Sequence, residues 1–117
     1  MWKCLEKPIV NLTRGNVVCE RGVIADRAAP RMRGLLGRSE LPAGEGILLT
    51  PAPMIHTAFM RFAIDAVFLD SELRIVKLEP NLAPWRTAGA HGARAVLELA
   101  EGEIARRELA VGEQLAI

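Results

Sequence analysis

The chain has 117 residues, 50% hydrophobic and 25% charged, with a net charge of +1. One domain fits that length, and the balance of apolar and charged residues excludes a disordered or collagen-like chain. The apolar runs are too short for a membrane-spanning helix, and two Trp, three Phe and no Tyr imply an aliphatic core.

Residues 1–15 read as a candidate N-terminal arm on a single domain spanning 1–117. Asn16–Cys19 and Val23–Ala25 predict two short strands, with Gly22 supplying the positive φ of a tight hairpin turn between them. A short helix is expected over 29–36, where Pro30 suits the first turn and Met32, Leu35 and Leu36 share a face. Gly37 suits the left-handed position just past its end. Gly46–Thr50 reads as a buried strand, ended by Pro51 and Pro53 because neither can donate to a ladder. Ile64–Leu69 is largely apolar on both alternating faces, the pattern of a strand buried on two sides. Arg74–Glu79 is its more polar, edge-like partner across a turn flanked by Asp70. Asn81–Arg86 is a proline-bracketed loop, and Thr87–Gly92 continues it as a mobile segment. Ala95–Leu99 predicts a strand, Gly102–Glu108 a short helix and Val111–Ile117 a terminal strand. Six or seven short strands with one or two short helices make an α+β, mainly β domain, a partly closed antiparallel barrel.

Asp65 is the most telling polar residue, because a carboxylate in an apolar strand must be paired or hydrogen-bonded. It is either a structural acceptor for backbone amides or an Arg, or an acid, base or ligand anchor tuned by burial. His56, a few residues upstream, titrates near neutral pH or donates to a ligand, though a lone His beside apolar residues is more often structural. Trp85 and Arg86 set a flat ring beside a forked cation, a pocket rim or equally a cap on the core. Thr57 or Ser71 with His56 and Asp65 lacks the spacing of a nucleophile elbow. No metal site is expected, because Cys4, Cys19, His56 and His91 follow no ligand spacing. No phosphate-binding glycine motif is present and no cofactor is expected.

Residues 1–38 carry eight Lys/Arg against three acids, net +5, leaving −4 for the rest. Arg27, Arg31, Arg33 and Arg38 concentrate that excess and form a candidate surface for an anionic partner. The bland reading is neutralisation across the fold, and nucleic acid is disfavoured at a pI near 7.9 without clustered aromatics. Cys4 and Cys19 read as free thiols in a reducing compartment, and the N-terminus has no leader-like apolar region, so cytoplasmic residence is expected.

Arg31–Arg38, Gly46–Leu49, His56–Asp70, Pro84–Arg86 and Val96–Gly102 together resemble the family called domain of unknown function 192. The most specific element is the string from Phe59 to Asp70. The resemblance implies a compact, strand-rich fold and no agreed activity. Many relatives have a Trp just before the Phe-Met pair where this chain has Thr57 and Ala58, and many look exported.

Three functions compete, and none assigns a catalytic residue. The first is a small soluble non-enzymatic binding or accessory module, its polar pocket for a small-molecule ligand lined by His56, Arg61, Asp65, Trp85 and Arg86. Arg61 would carry an anionic group or hold Asp65, and Trp85 would cover an apolar part. The second is a small enzyme using Asp65 and His56 as acid and base, which requires their side chains to converge in an open cleft. The third is anionic-polymer or nucleic-acid binding through the arginine cluster. No membrane partner is expected, and the oligomeric state stays open.

Overall fold

A computed structural model describes residues 5–25, 40–58 and 60–117. Its described strands are β1 (Leu5–Asn11), β2 (Asn16–Ala25), β3 (Glu45–Leu49), β4 (Met54–His56), β5 (Ile64–Leu69), β6 (Ile75–Leu82), β7 (Thr87–Gly89), β8 (Ala95–Ala100) and β9 (Leu115–Ala116). One helical turn, α1 (Glu103–Arg106), lies between β8 and β9. Seven strands form a single sheet in the order β6-β5-β8-β3-β2-β1-β9, and β4 pairs with β7 in a separate two-stranded sheet.

The seven-stranded sheet curls into a half-barrel. Its two outer strands approach each other at a bridge between Arg74 and Gln114. There the Ile75 N–H donates to the Glu113 carbonyl and the Leu115 N–H to the Leu73 carbonyl, at 2.9 and 3.0 Å. The expected barrel is therefore mainly β and mostly antiparallel, with β2–β3 as its one parallel pair among the described strands. A parallel pair needs a connection of roughly a dozen residues or more, and the 26–44 segment supplies it. The helix expected over 29–36 lies outside the described residues.

Apolar residues fill both faces of the central strands. Inside the curl, Val18, Leu48, Val67, Leu69, Leu97, Leu99 and Leu115 pack together, and Ile104 of α1 joins them. On the outer face of β3, β5 and β8, Ile47, Leu49, Ile64, Ala66, Phe68 and Val96 pack under Ala52, Ile55 and Met60. Every residue of β5 and β8 is consequently buried, which is why these strands read as near-continuous apolar runs.

Four local expectations are corrected. Asn16–Cys19 and Val23–Ala25 are not the two arms of a hairpin but parts of one strand, β2. The hairpin lies one step earlier, between β1 and β2, with Gly15 at φ 77° in its turn. Gly22 serves close approach instead: a Cβ there would meet the Lys7 carbonyl oxygen at 2.8 Å and Ile9 Cδ1 at 2.9 Å. The ladder shifts register beside it, where Pro8 has no N–H to donate. Leu5–Asn11, expected within an arm, is a sheet strand. Thr87–Gly89, expected to be mobile, is β7, held by β4. The terminal strand is only Leu115–Ala116, because 110–114 turn to meet β6.

Candidate functional site

Asp65 sits at a bulge in the β5–β6 ladder, with no exposed surface. Its Oδ1 accepts from the Asn81 N–H at 3.0 Å, and its Oδ2 from the Gly102 and Ile104 N–H groups at 3.1 and 2.9 Å. Asn81 itself takes a left-handed backbone conformation, with φ 56°. The carboxylate thus ties β6 and the start of α1 to β5. It does not meet His56. Ile55 of β4 belongs to the outer cluster with Ile64, Ala66 and Phe68, so the alternate residue Asp65 faces the other side of the sheet. The convergence that acid–base chemistry by this pair requires is absent.

The remaining candidates gather around Thr57. This buried hydroxyl donates to the Ala83 carbonyl at 2.6 Å and accepts from the Arg86 N–H at 2.8 Å. The Thr57 carbonyl accepts from the Trp85 N–H at 3.0 Å, and the Thr57 N–H donates to the Arg86 carbonyl at 2.8 Å. His56 pairs with Thr87 in the β4–β7 register, so His56, Trp85 and Arg86 occupy one lip of the fold. Ile55 and Ala88 point into the core from this lip, whereas His56, Trp85 and Arg86 are exposed. Trp85 is 61% exposed and has φ 63°. Arg61 is exposed and follows the buried Met60, whose N–H donates to the Thr57 carbonyl at 3.2 Å.

Glu98 went unrecognised as a site residue. It lies in β8 between Ile47 of β3 and Ala66 of β5, on the outer face, and is 6% exposed. Burial alone pushes its carboxyl up to about 7. No hydrogen bond or ion pair reaches it among the described residues. The signal was available: Ala95–Leu99 carries a charge in an apolar strand, the same pattern that singled out Asp65.

The arginines Arg27, Arg31, Arg33 and Arg38, and Cys4, lie outside the described residues. Cys19 is a buried free thiol whose pKa is pushed up to about 11 by that burial, which suppresses the reactive thiolate. Among the described residues no three His, Cys, Asp or Glu side chains gather as a metal would need. A surface groove lined by Glu6, Arg21, Val23 and Glu45 is crossed by the Arg21–Glu45 ion pair and contains none of the predicted site residues. No helix among the described residues is long and apolar enough to cross a membrane.

The profile of the family DUF192, described as "Uncharacterized ACR", matches residues 10–117. The chain belongs to the DUF192 family. It is 30% identical over 112 residues to a UPF0127 protein of Thermococcus sibiricus, covering 92% of this chain and 72% of that one. It is 31% identical over 113 residues to a UPF0127 protein of Pyrococcus furiosus, covering 92% and 95%. Among solved structures it resembles a protein of unknown function from Novosphingobium aromaticivorans, with a TM-score of 0.81 and 22% identity over 97% of this chain and 85% of the other. It also resembles a candidate transcription regulator from Sinorhizobium meliloti, with a TM-score of 0.84 and 19% identity over 99% and 96%. At these identities the structural likenesses establish a shared fold. DUF192 has no assigned activity, so membership leaves the specific function to be argued from the site.

Proposed function

We propose that this DUF192 protein is a cytoplasmic, non-enzymatic binding module. Its lip of β4, β7 and the 81–86 loop takes a small anionic ligand with a flat apolar part. Trp85 offers the ring face, Arg86 offers donors and positive charge, and His56 offers a ring N–H donor. The observation that carries this reading is Trp85 itself. It is a large apolar side chain held outward by a positive-φ backbone and a hydrogen bond from its N–H to Thr57. Non-glycine residues avoid that conformation, so its cost is borne to present a fixed aromatic surface rather than to fill the core. Fixed, exposed Trp beside Arg is the composition of binding hot spots. The acid–base alternative is not favoured, because Asp65 is fully engaged by backbone amides.

The test is a thermal-shift screen of aromatic carboxylates and nucleoside monophosphates. A true ligand at roughly 100 times its Kd adds about 2.7 kcal/mol of stability. That gain should vanish in Trp85→Ala and fall at least about tenfold in affinity in Arg86→Ala. A panel with no Trp85-dependent stabilisation overturns the reading. So does binding to a duplex oligonucleotide that survives Trp85→Ala and collapses with salt, which would transfer the function to Arg27, Arg31, Arg33 and Arg38.

A further inference from the structure

The small sheet of β4 and β7 brings two soft donors to one exposed face. The residues of β4 alternate exposed, buried, exposed, so Ile55 enters the core while Met54 and His56 point outward together. Two residues apart on a strand, their Cβ atoms stand roughly 7 Å from each other, which lets a thioether sulfur and an imidazole nitrogen meet on one ion. Pairing with β7 fixes both positions: Met54 lies opposite Gly89 and His56 opposite Thr87. Gly89 keeps the space beside Met54 clear, since a Cβ there would meet Met54 Cβ at 3.0 Å. Met54 is 55% exposed, so the pair is reached from solvent and needs no cavity. The surroundings decide the class of ion. Residues 50–64 and 80–97, which contain β4 and β7, include no Asp or Glu. The charged neighbours are positive: Arg86 is exposed just before β7, and the Lys77 ammonium donates to the Gly89 carbonyl at 2.8 Å. Magnesium and calcium need carboxylate oxygens, and repulsion from these cations doubles for a divalent ion. A thioether beside an imidazole is instead a donor set for copper(I).

We propose that the Met54 thioether and one ring nitrogen of His56 form a surface site for a soft monovalent metal ion, copper(I), with silver(I) as its redox-inert counterpart. Each donor gives a lone pair and no electron is transferred. The spacing of His and Cys in the sequence is silent on this site, because its second donor is a thioether. His91, the other histidine, is exposed two residues beyond Gly89. At about 3.3 Å per residue, the span from Thr87 to His91 approaches about 13 Å, too long for both imidazoles to share one ion. The site shares His56 with the lip and uses neither Trp85 nor Arg86, so it stands apart from the anionic-ligand reading.

The experiment is an NMR titration of the full chain, labelled at the methionine methyl carbons and the histidine ring nitrogens, with silver nitrate as the probe. Cys4→Ser is carried throughout so that this thiol does not take the ion first, and Cys19 is buried. The Met54 methyl and a His56 ring nitrogen should shift together and saturate at one ion per chain, while the methyl of the buried Met60 stays in place. Met54→Leu and His56→Gln should each weaken binding at least about tenfold, and His91→Gln should leave it unchanged. Zinc(II) should leave the Met54 methyl where it is. The proposal is overturned if the Met54 methyl does not shift or does not saturate, or if Met54→Leu or His56→Gln keeps the parent affinity. It is also overturned if His91→Gln costs as much as His56→Gln, or if zinc(II) moves the Met54 methyl as silver does. Met54 and His56 are exposed, so both variants keep the fold, which the amide spectrum checks. Trp85→Ala should retain silver binding, which separates this site from ligand binding at the lip.

Discussion

The carboxylate of Asp65 accepts three backbone N–H bonds, and charge-assisted bonds of this kind offset the cost of taking it out of water. Glu98, on the neighbouring strand and the opposite face, has no such acceptance from the described residues, and burial holds its proton to about pH 7. The unfolded chain releases that proton near the ordinary value of 4.5, so between there and 7 the folded state binds more protons. The stability it confers is therefore complete below the lower value and is lost as pH rises through the higher one. The two residues should respond to neutralisation with opposite signs. In urea unfolding at about pH 8, Glu98→Gln should stabilise the fold by roughly 3 kcal/mol, an advantage that disappears by about pH 4. Asp65→Asn should destabilise by about 3 kcal/mol at pH 8, because its amide NH2 would face backbone donors. A Glu98→Gln variant no more stable than the parent at high pH would mean that the carboxylate is already paired.

At the scale of elements, β4 and β7 are three-residue strands that pair only with each other among the described strands, and Thr57 fastens the lip they form. Thr57→Val keeps the shape and removes the hydroxyl, leaving the Ala83 carbonyl and the Arg86 N–H short of a partner at a cost of about 2 kcal/mol. Hydrogen exchange should then quicken at the Trp85 and Arg86 amides while Val67 and Leu97 keep their protection; equal loss at all four would show that Thr57 supports the whole fold instead. The sequence-based expectations succeeded for β3, β5 and β8, where apolar runs bury both faces, and for β6, whose more polar run marks it as an edge strand. They missed β4 and β7 because so short a strand has no period and exists only through a partner about thirty residues away. Gly22 was misread because a glycine at a close backbone contact and a glycine in a turn look alike in one dimension. For the site, the charge of Asp65 was legible but its acceptance of amides from β6 and α1 was not, since those donors are 16 to 39 residues away. Glu98 was legible by the same rule and needed only the question of which face it shares with Val96 and Ala100.

The whole molecule depends on how the curled sheet meets itself. Without residues 110–116, β6 and β1 would both be bare edges, each presenting unpaired N–H and C=O groups to other chains. That seam is short on ladder and rich in polar contacts. Glu113 organises it: its carboxylate accepts from Asn11 Nδ2 at 2.9 Å and the Ala110 N–H at 2.8 Å and pairs with Arg14. Its backbone carbonyl meanwhile holds the Ile75 N–H. Burial raises the pKa of this carboxyl, but the hydrogen bonds from Asn11, Ala110 and Arg14 outweigh burial and leave it below the ordinary range. The seam is accordingly fastened at neutral pH and loosens as acid protonates Glu113 through its lowered folded-state pKa. Glu113→Ala removes the acceptor at every pH and strands the buried amide of Asn11. The expected result is sub-global opening: exchange of the Leu12, Ile75 and Leu115 amides becomes fast, whereas Val67 and Leu97 at the centre of the sheet stay protected. Self-association should rise with protein concentration in sedimentation runs, because the freed edges can pair between copies. Uniform acceleration of exchange across β5, β8 and β9 would instead show that the half-barrel opens only by unfolding as one unit.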